Sequence, residues 1–187
     1  MGAYGQDMHP ATFTGGDRGP WRVARVVAVR GAALPAAERL DVRPGHVPGE
    51  GAWSLRGVAG HARYVVRREK DLLDPLSPPL GRPEASRAAL IPIAKTAAWW
   101  ALPHDERRAI FEERSRHIAD SLPYLPRVAR RLYHSRDLGE PFHFLTWFEF
   151  APEHEAAFDE LLALLRAREE WTFVEREVEI RLERRPA

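Results

Sequence analysis

The chain has 187 residues, with 28 Lys+Arg against 27 Asp+Glu and a formal net charge of +1. That balance excludes a strongly electrostatic partner such as a nucleic-acid backbone or an acidic membrane surface. The absence of cysteine excludes disulfides, thiolate metal ligation and cysteine nucleophiles, so any metal must sit on His, carboxylate or Tyr.

Residues 1–20 carry Gly2, Gly5, Gly15, Gly16 and Gly19 among polar residues and are expected to form a flexible lead-in. They lack the basic start and apolar core of a secretory signal, and no run approaches the roughly 20 apolar residues that span a bilayer, so a soluble, cytoplasmic protein is expected. A Val-rich first strand is predicted over 21–29, a Pro/Gly-rich loop over 42–51, and further strands over 53–58 and 62–67. Pro75, Pro78, Pro79 and Pro83 then mark an irregular passage that separates two halves.

The pattern beyond residue 88 is sharper. An apolar strand over 89–93 leads to one helix over 103–122, with Pro103 near its start, Asp105 and Glu106 in its first turn, and Ile110, Phe111, Ile118 and Leu122 at helical spacing. A strand over 128–135, a turn at 137–139, a second strand over 142–150, a helix over 153–168 and a last strand over 172–182 follow. The order βαββαβ predicts an α+β fold with an antiparallel, ferredoxin-like sheet and two helices on one face. Phe142, Phe144, Trp147, Phe148 and Phe150 imply a strand buried on both faces, so the face away from the helices should meet another sheet. The expected organisation is a lead-in (1–20), a reduced N-terminal half (21–87) and a complete C-terminal half (88–187) of dimeric α/β-barrel type.

Local catalytic motifs are missing: there is no phosphate-binding Gly loop, no HExxH and no Gly-x-Ser-x-Gly elbow. Chemistry must therefore come from isolated residues. His117 is predicted mid-helix at the shoulder of the buried stripe, where it is either a hydrogen-bonded core histidine or a ligand. Alternation along the strand of 128–135 puts Arg130 on the face of Val128 and Leu132, where it needs a carboxylate such as Glu149 or Glu177, or an anionic ligand. A helix histidine and a sheet arginine facing one apolar gap also resemble the two sides of a haem pocket. His134 and His143, on adjacent strands near their turn, read as a solvated cross-strand pair. Trp99 and Trp100 are either core or a surface for a porphyrin plane. Lys95 and Tyr64 are either ordinary surface residues or partners for propionates.

The segments IPIAKTAAWW, DERRAIFEERSRHIADSLPYLP, VARRLYHSRDLGEPFHFLTWFEFAPEH and EEWTFVEREVEIRL, with FTGGDRGPW and GVAGHARYV upstream, resemble the chlorite dismutase family, in particular its short-chain dimeric branch. The resemblance spans nearly the whole chain. It implies two ferredoxin-like halves with haem b in the C-terminal one, a homodimer, and conversion of chlorite to chloride and dioxygen through a ferryl intermediate and transient hypochlorite. It makes His117 the proximal iron ligand, Arg130 the distal arginine, and Glu170 the carboxylate behind the imidazole, with Glu169 as its neighbouring alternative. Tyr64 and Lys95 fall where the family contacts propionates, and Trp100 where an indole lines the haem. Coproheme decarboxylases share the proximal histidine but typically carry glutamine where Arg130 stands. A non-catalytic haem carrier or sensor, or a haem-free barrel, are the rivals from other classes.

Overall fold

The computed structural model describes residues 8–60 and 65–184. Eight strands, β1 (His9–Gly16), β2 (Trp21–Arg30), β3 (Arg39–Pro44), β4 (Trp53–Ala59), β5 (Arg87–Lys95), β6 (Val128–His134), β7 (Phe144–Phe150) and β8 (Val174–Glu183), close into one antiparallel barrel. Its cyclic order is β1-β3-β2-β8-β5-β7-β6-β4. Each half thus contributes its strands in the order fourth, first, third, second. The second sheet expected behind β7 is the far wall of the same barrel. A long β2–β8 ladder joins the halves on one side, and a single pair, Val58 opposite His134, on the other. At that narrow seam Gly57 matters, because a Cβ there would stand 2.6 Å from the Cβ of Tyr133.

Three sequence expectations change. The lead-in is shorter than 1–20, because residues 9–16 form β1, paired on both edges with β3 and β4. The loop expected from residue 42 starts later, since β3 runs to Pro44. Of the strand expected over 62–67, residues 62–64 lie outside the described residues, and Arg67 opens helix α1 (Arg67–Leu73).

The barrel interior is filled by Phe13, Trp21, Leu40, Leu55, Leu90, Tyr133, Leu145, Trp147, Val178 and Ile180. The helices α2 (Ala97–Ala101), α3 (His104–Arg108), α4 (His117–Ser121) and α5 (Glu155–Arg166) belong to the C-terminal half. Helix α5 buries Phe158, Leu161, Leu162 and Leu165 against Ile91, Ile93, Phe148 and Phe150 on the outer face of the sheet. None of the described helices is long and apolar enough to cross a membrane.

The single helix predicted over 103–122 is three pieces. Helix α3 runs into a π-helical turn, Ala109–Arg114, and the Ser115 N–H reaches back to the carbonyl of Ile110 at 3.1 Å. Arg116 then takes left-handed backbone, φ 54°, the one described non-glycine residue with positive φ. Helix α4 restarts at His117. The apolar spacing of Ile110, Phe111, Ile118 and Leu122 fits one continuous helix equally well, which is why the break is invisible in the pattern.

Candidate functional site

Restarting the helix at His117 turns its ring toward the last turn before β8. The Nδ1 of His117 lies 2.8 Å from Oε2 of Glu170, while Oε1 of Glu170 takes the Nζ of Lys95 at 2.7 Å. The Glu170 N–H donates to the Ser115 hydroxyl at 2.9 Å, so the carboxylate's own backbone is pinned by the segment that precedes His117. Lys95 reaches Glu170 from the end of β5, where a register shift between Ala94 and Lys95 redirects its side chain. Both partners are buried, Lys95 4% and Glu170 6% exposed. Burial alone would raise the Glu170 pKa, but the Lys95 ammonium and the His117 ring outweigh it and hold the carboxyl at about 2.

An ionised carboxylate on Nδ1 fixes the tautomer: the proton sits on Nδ1, leaving the Nε2 lone pair free to bind a metal. The ring is clamped by Phe111, stacked at 4.5 Å, and by Trp171 at 6.3 Å. Lys95 is held in turn over the rings of Trp99 at 4.6 Å and Trp171 at 5.5 Å. Its ammonium is therefore committed to Glu170 and is not the free surface cation that a propionate contact requires, which corrects the expectation for Lys95. Glu169, the alternative partner for His117, pairs instead with Arg114 at 3.3 Å.

Arg130 sits on β6 opposite Phe148 of β7, on the outer face with Val128, while Tyr133, Leu145 and Trp147 point into the barrel. Phe148 and Trp171 belong to one apolar cluster, so Arg130 and His117 border the same layer between sheet and helices. Among the described residues Arg130 has no ion pair. Both carboxylates open to it in the sequence are engaged elsewhere: Glu149 accepts from Gly81 N–H (2.6 Å) and Trp147 Nε1 (2.9 Å), and Glu177 from Arg166 (2.6 Å) and Trp171 (2.8 Å). Burial pushes the Arg130 guanidinium below the ordinary arginine pKa, yet arginine keeps its proton at any working pH. A half-buried cation without a counter-charge favours an anion.

Trp100 donates Nε1–H to Nδ1 of His143 at 3.1 Å, and the Lys95 backbone N–H donates to the same nitrogen at 2.9 Å. Two donors on Nδ1 require a neutral ring, in line with the lowered His143 pKa caused by burial and by Arg136. The pair read as a solvated cross-strand contact therefore includes an anchor for the indole. Phe144 stacks on Trp100 at 5.9 Å, and the guanidinium of Arg136 lies 4.1 Å from its ring. Tyr64 lies outside the described residues. The sequence pattern missed the roles of Ser115, His143 and Trp171, which depend on contacts between distant segments.

Among the described residues no group of three or more His, Asp or Glu could hold a bare ion. His117 therefore suits a metal that brings most of its own donors, as a porphyrin does. The buried Nδ1 partner, the free Nε2, the aromatic clamp and the unpaired Arg130 fit that group.

Comparison with known proteins gives the family of the chain. A family model described as chlorite dismutase matches residues 47–185. The dimeric chlorite dismutase from Nitrobacter winogradskyi is 59% identical over 94% of this chain and 99% of that one, with a TM-score of 0.90. A mutant chlorite dismutase from Candidatus Nitrospira defluvii, 19% identical over 95% of this chain and 91% of that one, shares the fold with a TM-score of 0.65. The chlorite dismutase of Ideonella dechloratans is 36% identical over 98 residues, 51% of this chain, and the match spans only 33% of that protein. By the family model and by its full-length likeness to the Nitrobacter protein, the chain belongs to the chlorite dismutase family.

Proposed function

We propose that this protein is a haem b enzyme that decomposes chlorite to chloride and dioxygen, with His117 as the proximal iron ligand and Arg130 as the distal cation. The observation that carries this reading is the pairing of a carboxylate-backed imidazole with an arginine that has no carboxylate of its own across one apolar layer. The 59% identity to a chlorite dismutase over nearly the full chain supports the substrate.

His117 would hold haem iron at Nε2, and the haem would supply the redox chemistry. The chain's residues do the rest. Glu170 accepts the Nδ1 proton of His117 in a bond that strengthens Nε2 as a donor, and Lys95 and Ser115 keep that carboxylate ionised and aimed. Arg130 attracts and orients the chlorite anion and retains negatively charged species near the metal. Chlorite becomes chloride and dioxygen with no net proton uptake, so a permanently charged arginine suffices where a general acid would otherwise be needed. Trp100, fixed by His143, would line the cofactor.

The C-terminal half is read as ferredoxin-like because its strand order, β8-β5-β7-β6, is that of a split βαβ sheet; the N-terminal half repeats the order without interleaved helices. The protein is read as a homodimer. Support comes from β2, which beyond Trp21 and Arg22 has no β3 partner and exposes Val26, Val27 and Val29 at 41%, 36% and 37%.

The test is product analysis by ion chromatography on haem-loaded protein. Chlorite should disappear with an equal amount of chloride formed and no chlorate accumulated. Chlorite that persists beside a normal haem spectrum would leave a haem carrier.

A further inference from the structure

We propose that Glu112 is a positioning residue for His117: its carboxylate fastens the start of α4 and thereby sets the direction of the imidazole toward Glu170. The inference rests on the haem-ligand reading of His117 and concerns how the chain aims that ligand.

Helix α4 spans five residues, too few to hold its place by its own hydrogen bonds. Its N-cap, Arg116, offers no side-chain cap and sits in left-handed backbone, φ 54°. The first-turn N–H groups are taken instead by a carboxylate from the preceding π-helical turn: Oε2 of Glu112 accepts from Ile118 N–H at 2.6 Å, and Oε1 accepts from Ala119 N–H at 3.1 Å. A bidentate anion on two successive amides fixes rotation about the helix axis as well as position, and it complements the positive end of the helix.

The same short segment holds the other end of the His117 bond, since the Ser115 hydroxyl accepts the N–H of Glu170. Ser121 Oγ then donates to the His117 carbonyl at 2.6 Å, closing the turn on its far side. Glu112, Ser115 and Ser121 thus form a rigid frame around the His117–Glu170 contact of 2.8 Å. That contact has little slack: lengthening it beyond about 3.2 Å takes it out of the range of a good N–H···O bond. A slight rotation of α4 is enough.

The hydrogen bonds of Glu112 run to the backbone amides of Ile118 and Ala119, so it acts on His117 through the helix. An ordinary cap would contribute to stability alone. A positioning cap changes the electron donation of the imidazole, and the two separate experimentally.

The experiment uses full-length, haem-loaded Glu112→Gln and Glu112→Ala beside the parent. It measures the iron–imidazole stretching frequency of the ferrous form by resonance Raman, haem transfer to an apomyoglobin scavenger, and thermal unfolding. Glu112→Ala should lower the stretching frequency and speed haem loss about tenfold, as removal of outer-shell partners does. Glu112→Gln, which keeps one acceptor oxygen, should fall between Glu112→Ala and the parent, and it carries the test if Glu112→Ala does not fold. A lowered melting temperature with unchanged frequency and unchanged haem loss would overturn the proposal. The apoprotein gives a separate reading that survives failure of the haem assignment: the Nδ1–H resonance of His117 should be sharp and low-field in the parent and exchange-broadened in both variants. An unaltered resonance would contradict the positioning role.

Discussion

In the proposed reaction Arg130 and His117 divide the work, so their substitutions should fail differently. Replacing His117 by Ala removes an imidazole backed by a buried carboxylate, so haem retention should fall, read as loss of the Soret band on gel filtration. Arg130→Ala should leave the Soret band in place but cut turnover by on the order of 10²–10³, the usual cost of deleting one preorganised charge-stabilising donor, and bleaching should accelerate. Glu170 is expected to show its role in acid. Its carboxyl has a folded-state pKa of about 2 against an ordinary 4.5, so its stabilisation is complete above 4.5 and is lost as pH falls from there toward 2. Glu170→Gln should flatten that acid limb in an unfolding titration. At neutral pH it should cost about 3–5 kcal/mol, because Lys95 is left buried without a counter-charge. The roles proposed for His117, Arg130 and Glu170 came from the family resemblance, whereas the face that Arg130 shares with Val128 was legible from alternation alone. Lys95 was not: its partner lies 75 residues away, and only the bulge at the end of β5 turns its ammonium inward.

Among elements, the interrupted helix is the most informative. Its apolar spacing announced a helix and its Pro103 start, but the extra residue in the π-helical turn and the left-handed Arg116 leave no mark on hydrophobic periodicity. Sequence patterning reads which face is buried, whereas the break is set by where two backbone amides find the Glu112 carboxylate. The left-handed conformation can be tested directly. Arg116→Val should destabilise the fold by roughly 1–2 kcal/mol, because a β-branched residue is strained at positive φ, and Arg116→Gly should be neutral or stabilising in chemical denaturation. Strand β1 went unread for a related reason. Its Pro10, Gly15 and Gly16 are turn residues by composition, yet Gly15 is needed because a Cβ there would meet the Trp53 ring at 2.2 Å. Packing, not propensity, selected glycine within that strand.

For the whole molecule, the barrel explains why the candidate site lies in one half. Both halves repeat the strand order, but among the described residues the helix that packs on the outer face of the sheet, α5, lies in the C-terminal half, and the candidate site borders that layer. The barely interrupted apolar run of β2 is the counterpart on the helix-poor side. Val27→Arg places a charge there beside its cross-strand neighbour Glu179, so the fold should persist while the proposed dimer dissociates, seen by light scattering after size exclusion. An unchanged dimer mass would move the interface elsewhere. The central claim, that the carboxylate-backed His117 and the unpaired Arg130 together serve chlorite decomposition, is tested most directly with an oxygen electrode on haem-loaded protein. Addition of chlorite should release one dioxygen per chlorite consumed, with the parent far faster than Arg130→Ala. A flat trace from a protein with an intact Soret band would contradict it.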